Sequence, residues 1–288
     1  VVIRFSAQLN FTIAKDTYDA IVYYANTINC VSKERIRDEL TKILMSDNPQ
    51  ALEYLATTKL DIYIFANDDL ITRMISCTQN NKYHYSDVFH HTIDVVRNSP
   101  RNFISRWSAF FHDVGKLVDK TTDENGYEHF YHHAEKSIEI AEWFMDYLKF
   151  SNEQKDTILK FIKYHDYYLG TCRVSVFKSV LSDIGDEYFL DFLRFKRADA
   201  RAHQLLTSTN FAIDAIDKIY ERYTKIKLEN QALTIKDLVV NGYDMINLGL
   251  KGKQIGDMLK YLLDRVLEDS TLNDSNTLIE LARGKMNE

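Results

Sequence analysis

A chain of 288 residues with only nine glycines and two prolines cannot make many tight turns. Sheet proteins reverse direction often and draw on these residues to do it, whereas helices joined by polar loops need few of them. The scarcity predicts an all-α protein, and the apolar spacing agrees with it. Tyr18, Ile21, Val22, Ala25 and Ile28 recur at intervals of three and four, as do Ile36, Leu40, Ile43 and Leu44 after an N-cap at Ser32. Ser86 can cap a helix with Val88, His91 and Val95 on one face. Pro100 separates it from a helix striped by Phe103, Trp107, Phe110 and Phe111, for which Gly115 is the expected C-cap. A polar loop is expected over 121–126 and a helix over 134–148. A capping box at Ser151 and Gln154 opens a helix carrying Ile158, Ile162 and His165, and a later helix groups Phe192, Phe195 and Asp199.

The organisation reads as three helical modules, over 1–81, 82–230 and 231–288. The last holds four of the nine glycines, at 242, 249, 252 and 256, around a tight basic turn at Lys251, Gly252 and Lys253. Net charge is −6, so the surface as a whole does not attract polyanions, and any nucleic-acid contact needs a local patch. Two patches qualify. Glycines near a helix N-terminus let backbone N–H groups approach a phosphate at 251–253, and Lys33, Arg35, Arg37 and Lys42 form a basic helix face. A tight turn with solvated lysines and an ordinary solvated helix face are the competing readings. Cys30, Cys77 and Cys172 are odd in number and widely spaced, as free thiols in a reducing, cytoplasmic compartment would be. No segment has the length or apolarity of a membrane span.

All nine histidines fall between His84 and His203. Histidine is the commonest metal ligand, and the sharpest pattern is His91, then His112-Asp113, then Asp199. Adjacent His and Asp at a helix end can reach one cation while an imidazole and a carboxylate arrive from other helices. Such an N/O set suits Mn, Fe, Co, Ni, Zn or Mg. His133 and His165 extend the set to six and allow a second metal. The alternative is one metal, with these two histidines orienting phosphate. Lys116, three residues after Asp113, is placed to steady a phosphate oxygen or to lie solvated at a helix end. His90, His132, His129 and His84 read as rim or structural residues, and His203 follows Asp199 by one turn.

These residues resemble two nested families. His91, His112-Asp113-Val-Gly-Lys116, His133, His165-Asp166 and Asp199 resemble the HD superfamily of phosphohydrolases. Arg4-Phe5 through Phe11, Val31 through Leu40, the segment 79–84 ending at His84, and Asp237 through Gly256 are similar, in that order, to bacterial tRNA nucleotidyltransferases, the CCA-adding enzymes and poly(A) polymerase relatives. The resemblance covers nearly the whole chain. It implies a helical RNA-binding neck over 1–81, an HD body over 82–230 and a tRNA-binding tail over 231–288. In that family a nucleotidyltransferase head precedes the Arg4-Phe5 segment, with a Gly-Ser motif and an Asp-x-Asp pair for Mg²⁺. No counterpart of it is seen here, so the expectation is that this chain alone transfers no nucleotide. The leading expectation is a metal-dependent phosphohydrolase, a phosphatase or 2′,3′-cyclic phosphodiesterase acting on nucleotides or RNA ends, with Asp113 and Lys116 in catalytic roles. The alternatives are the tRNA-binding body of a cropped or split CCA-adding enzyme, whose partner is a separate head, and an HD-type di-iron oxygenase.

Overall fold

Helix starts follow the side chains able to satisfy free backbone N–H groups. Ser32 accepts from the Arg35 amide, Asn102 from that of Ser105, and Ser151 and Gln154 close their reciprocal box. The helix carrying His91 starts one residue later than the sequence suggests, because Asp87 rather than Ser86 accepts from the His90 amide, at 2.8 Å. The structure, a computed structural model, describes residues 1–79, 86–202, 206–229 and 232–287, with side chains not described at 206–209. The segment 80–84, His84 and His203 lie outside the described residues, as do the expected module boundaries near 81 and 230.

The described residues form two units and are essentially all helical. The first unit, Val1–Tyr167 with Leu190–Asp214, holds α1 (Val2–Leu9), α2 (Lys15–Tyr23), α3 (Lys33–Leu44), α4 (Glu53–Thr57), α5 (Asp61–Ile64) and α6 (Leu70–Ser76). It continues with α7 (Val88–Asn98), α8 (Phe103–Phe111), the strands β1 (Thr121–Thr122) and β2 (Glu128–His129), α9 (His133–Tyr147) and α10 (Asn152–Tyr164). The second unit, Tyr168–Phe189 with Ala215–Glu288, contains α11 (Val174–Ile184), α14 (Gly242–Asn247), α15 (Lys253–Glu268) and α16 (Ser275–Met286). The chain passes between the units within α12 (Asp186–Ala202) and α13 (Leu206–Leu228). Among the described residues no helix is long and apolar enough to cross a membrane.

The core of the first unit is aromatic. Trp107 stacks on Phe111 at 5.4 Å and meets Phe110 edge-on, and Phe161 contacts Phe192 and Phe195. Each such ring removed from water contributes roughly 2 to 3 kcal/mol, and together they hold α8, α10 and α12 in place. Arg106 is buried on α8 and donates to the Leu44 and Arg97 carbonyls, at the ends of α3 and α7. Burial and the neighbouring Arg101 and Arg97 charges lower its pKa to about 10. In the second unit Arg222 plays a comparable part. It donates to the Leu169, Gly170 and Cys172 carbonyls and lies over the Phe177 ring.

Three local expectations change. The stripe from Tyr18 to Ile28 is not one helix face. α2 stops at Tyr23, a 3₁₀ turn spans Ala25–Cys30, and only Ala25 of the stripe is buried. The polar loop over 121–126 is part of a short hairpin, with Thr121 paired to His129 and Thr122 to Glu128. Gly115 caps nothing: α8 ends at Phe111, and Gly115 lies in a 3₁₀ turn, Val114–Leu117. Its role is close approach. Its amide donates to Ser137 Oγ at 2.8 Å, and a Cβ there would meet the His133 carbonyl oxygen at 2.0 Å and the Ser137 amide nitrogen at 2.5 Å. Both obstacles are backbone, so neither can swing aside. Gly115→Ala is expected to destabilise the first unit by about 3 kcal/mol, an overpacking cost, read as a lower urea midpoint than wild type. An unchanged midpoint would mean that α9 and the turn are not packed this closely.

Candidate functional site

α7 and α8 run side by side and bring His91 and His112 together on their facing sides. His112 follows the last residue of α8, so Asp113 turns into the same space. The His91 and His112 Nε2 atoms are 3.3 Å apart. Asp113 Oδ2 lies 3.3 Å from the first and 3.2 Å from the second, and Asp199 Oδ1, from α12, lies 3.2 and 3.7 Å from them. A cation with bonds of about 2.0 to 2.2 Å holds neighbouring ligands roughly 3 to 3.5 Å apart, which is the spacing of this set.

The other oxygen of Asp113 faces a second pair. His133 opens α9 and His165 follows α10, and their Nε2 atoms are again 3.3 Å apart. Asp113 Oδ1 is 3.4 Å from His133 and 3.8 Å from His165. Asp166 completes this half, 3.0 Å from His133 Nε2 and 3.4 Å from His165 Nε2. His91, His112 and Asp113 thus form one group able to hold a metal ion, and Asp113, His133 and His165 form another. All six expected ligands converge, and Asp113 bridges the two halves. Asp166, singled out in the sequence only through the resemblance, is a seventh donor. Its position directly after His165 was the available signal.

The ring orientations suit ligation. His112, His133 and His165 each hold the Ala109, Phe130 or Ile162 carbonyl through Nδ1, at 2.8, 2.7 and 2.6 Å. A carbonyl can only accept, so Nδ1 carries a proton and Nε2 is the nitrogen turned inward, where a cation can take the place of any proton on it. Without a cation the group balances its own charge. Burial opposes ionisation of Asp113, but His112 and Lys116 hold its carboxyl well below the usual range. Burial likewise opposes charge on His112, yet Asp113 and Asp199 lift the imidazole to about 10. Burial lowers His165, whereas His133 is raised, its burial outweighed chiefly by Asp166.

Lys116 is neither solvated nor free for a substrate phosphate. It is 6% exposed, and its ammonium donates to Asp113 Oδ2 and to Gln79 Oε1, both at 2.7 Å. His90 points elsewhere and pairs with Asp87, and His129 pairs with Asp123 on the hairpin. Of the basic patches, Arg35 is exposed, but Arg37 pairs with Asp38, donates to the Lys149 carbonyl and lies over Phe150. Arg37 is therefore a packing residue as much as a surface charge. Lys251, Gly252 and Lys253 are exposed where α15 begins. Gly252 takes φ 54° and ψ −126°, a conformation closed to residues with a Cβ.

Fold and site define a helical protein with a buried histidine–aspartate cluster of metal-ligand geometry. A family model described as "tRNA nucleotidyltransferase domain 2 putative" matches residues 119–282, more than half of the chain. The chain belongs to this tRNA nucleotidyltransferase family. A second model, "Probable RNA and SrmB- binding site of polymerase A", matches residues 10–67. A CCA-adding enzyme of Ligilactobacillus salivarius is 24% identical over 99% of this chain and 58% of its own length. A "Multifunctional CCA protein" of Thioalkalivibrio sulfidiphilus is 24% identical over 90% of this chain and 62% of its own. The crystal structure of Bacillus stearothermophilus CCA-adding enzyme in complex with CTP has a TM-score of 0.60 at 18% identity, over 99% of this chain and 60% of that one. That likeness concerns the fold. The chain thus spans about three fifths of the length of these relatives.

These matches overturn the phosphohydrolase and oxygenase expectations, together with the expectation that nucleotidyl transfer is foreign to this chain. The relatives that align along nearly its whole length are named a CCA-adding enzyme and a multifunctional CCA protein. The physical reason is that convergent donors specify cation binding and not the reaction that follows. Lys116, the residue expected to steady a substrate phosphate, is committed to Asp113. Removing that buried counter-charge leaves Asp113 uncompensated. Lys116→Met is expected to lower stability by about 3 kcal/mol, measured by denaturant unfolding of metal-stripped protein. A loss below a few tenths of a kcal/mol would show the pair to be solvent-screened.

Proposed function

We propose that this chain is the tRNA-holding body of a CCA-adding tRNA nucleotidyltransferase, with tRNA 3′ ends and the nucleotides added to them as substrates. The observation that carries this reading is the continuous similarity to a CCA-adding enzyme over 99% of the chain. The match of 10–67 to an RNA-binding description supports an RNA contact in the N-terminal module, where Arg35 is exposed. The exposed turn at Lys251, Gly252 and Lys253 supports a second contact. Its two lysines stand at the start of a 16-residue helix, an end at which a phosphate is favoured. Such contacts position RNA without reading its sequence.

The histidine–aspartate cluster fits a divalent cation centre of the HD type. In this reading His91, His112, Asp113 and Asp199 hold one cation, and Asp113, His133, His165 and Asp166 hold a second. The neutral-imidazole and carboxylate donors suit Mn, Fe, Co, Ni, Zn or Mg. Bound there, a cation ties α7, α8, α9, α10 and α12 together, so the centre braces the body that carries the RNA.

Two measurements test this. A tRNA transcript lacking its terminal CCA is expected to shift with the chain in a gel at low salt. Lys251→Ala with Lys253→Ala should weaken that binding and make its log–log salt dependence shallower by about two, one for each phosphate that no longer meets a lysine. No tRNA affinity even at low salt overturns the reading. Elemental analysis of purified protein should find a divalent cation that Asp113→Ala abolishes and His133→Ala only reduces. Equal metal content in wild type and Asp113→Ala removes the metal centre from the proposal.

A further inference from the structure

Of the two tryptophans, Trp107 is 1% exposed and donates its indole N–H to Thr41, whereas Trp143 on α9 is 52% exposed. The inward side of α9 is already filled by Ala141, Phe144 and Met145, so Trp143 is not part of the core. It is nevertheless ordered by a neighbour. Tyr147, one helical turn later, lies parallel to it within 1°, with ring centroids 5.8 Å apart. The ammonium of Lys33, from the first turn of α3, sits 4.4 Å from the Tyr147 centroid. Arg37, one turn further along α3, reaches the Lys149 carbonyl just past the end of α9.

We propose that the Trp143–Tyr147 ridge is a stacking site for unpaired bases of RNA, with Lys33 as the cation that receives the adjoining phosphate. The inference rests on the tRNA-holding reading and assigns that body a contact with unpaired nucleotides. Two parallel rings with an exposed face suit a nucleobase, because base–aromatic stacking is strong and tolerant of sequence. Charge favours RNA over an acidic or apolar protein partner. Two of the acids beside the ridge on α9 are paired, Glu139 with Lys136 and Asp146 with Lys155, and Lys33 is the charge that lies directly over the aromatic surface. Glu142, one residue before Trp143, is turned about 100° away around the helix. Lys33 also lies within the 10–67 segment matched by the RNA-binding description.

The buried Trp107 makes Trp143 its own reporter. Single-stranded oligoadenylate is expected to quench the tryptophan emission of the chain, and duplex RNA of equal length is not. Trp143→Ala should weaken oligoadenylate binding about tenfold while leaving the thermal midpoint unchanged. Trp143→Phe should keep most of the affinity and lose the quenching. If tRNA still binds but oligoadenylate causes no quenching, or if Trp143→Ala binds it like wild type, the stacking site is wrong and the tRNA reading stands. A shift of Trp143 emission with protein concentration alone would mark a contact between copies and would also overturn it. Failure of wild type to bind any RNA sinks both.

Discussion

The first unit is organised around one carboxylate. Asp113 sends one oxygen to His91 and His112 and the other towards His133 and His165, and Lys116 approaches the first oxygen at 2.7 Å. A buried anion is tolerated only when several donors or cations face it. Here they come from four separate helices and the turn after α8. The arrangement therefore constrains how those helices meet. α8 must end at the residue before His112, and Gly115 must let the following turn press against α9. The partners of Asp113 lie far apart along the chain, yet all depend on the same few ångströms.

Much of this was legible because the sequence places chemistry at helix ends. His112-Asp113 and His165-Asp166 both follow helices closed by aromatic residues, and His91, His112, Asp113 and Asp199 lie within a few ångströms of one another. The scarcity of glycine and proline foretold the helical class, and the caps at Ser32 and Ser151 were readable because capping is local. What was not legible depended on distant partners. Gly115 looks like a helix stop in sequence, and only the His133 and Ser137 backbone reveals it as a point of close packing. Lys116 looks like a solvated lysine until Gln79 and Asp113 are seen around it. The stripe through Tyr18 and Val22 has helical periodicity, but the helix stops at Tyr23 and only Ala25 of the stripe is fully buried.

The reaction was the least legible feature. A set of donor atoms fixes coordination geometry, and many proteins use similar sets for different ends. Similarity running along the whole chain carries information the ligand pattern lacks, because it includes the N-terminal helices and the glycine-punctuated tail that have no part in ligation. The same cluster can accordingly be read as a brace within a body whose proposed contacts with RNA lie elsewhere, at exposed lysines and aromatic rings.

Arg106 has a consequence for how such a body comes apart. Its guanidinium is buried and held by main-chain carbonyls at the ends of two different helices, α3 and α7. Fraying the last turn of either would withdraw an acceptor from a charge that cannot readily reach water. The two helix ends are thereby made to open together rather than singly, so the N-terminal helices and the helices that carry the histidine–aspartate cluster share one cooperative unit of local unfolding. Amide exchange at the close of α3 should then report on the integrity of α7, though the two are separated by dozens of residues of chain.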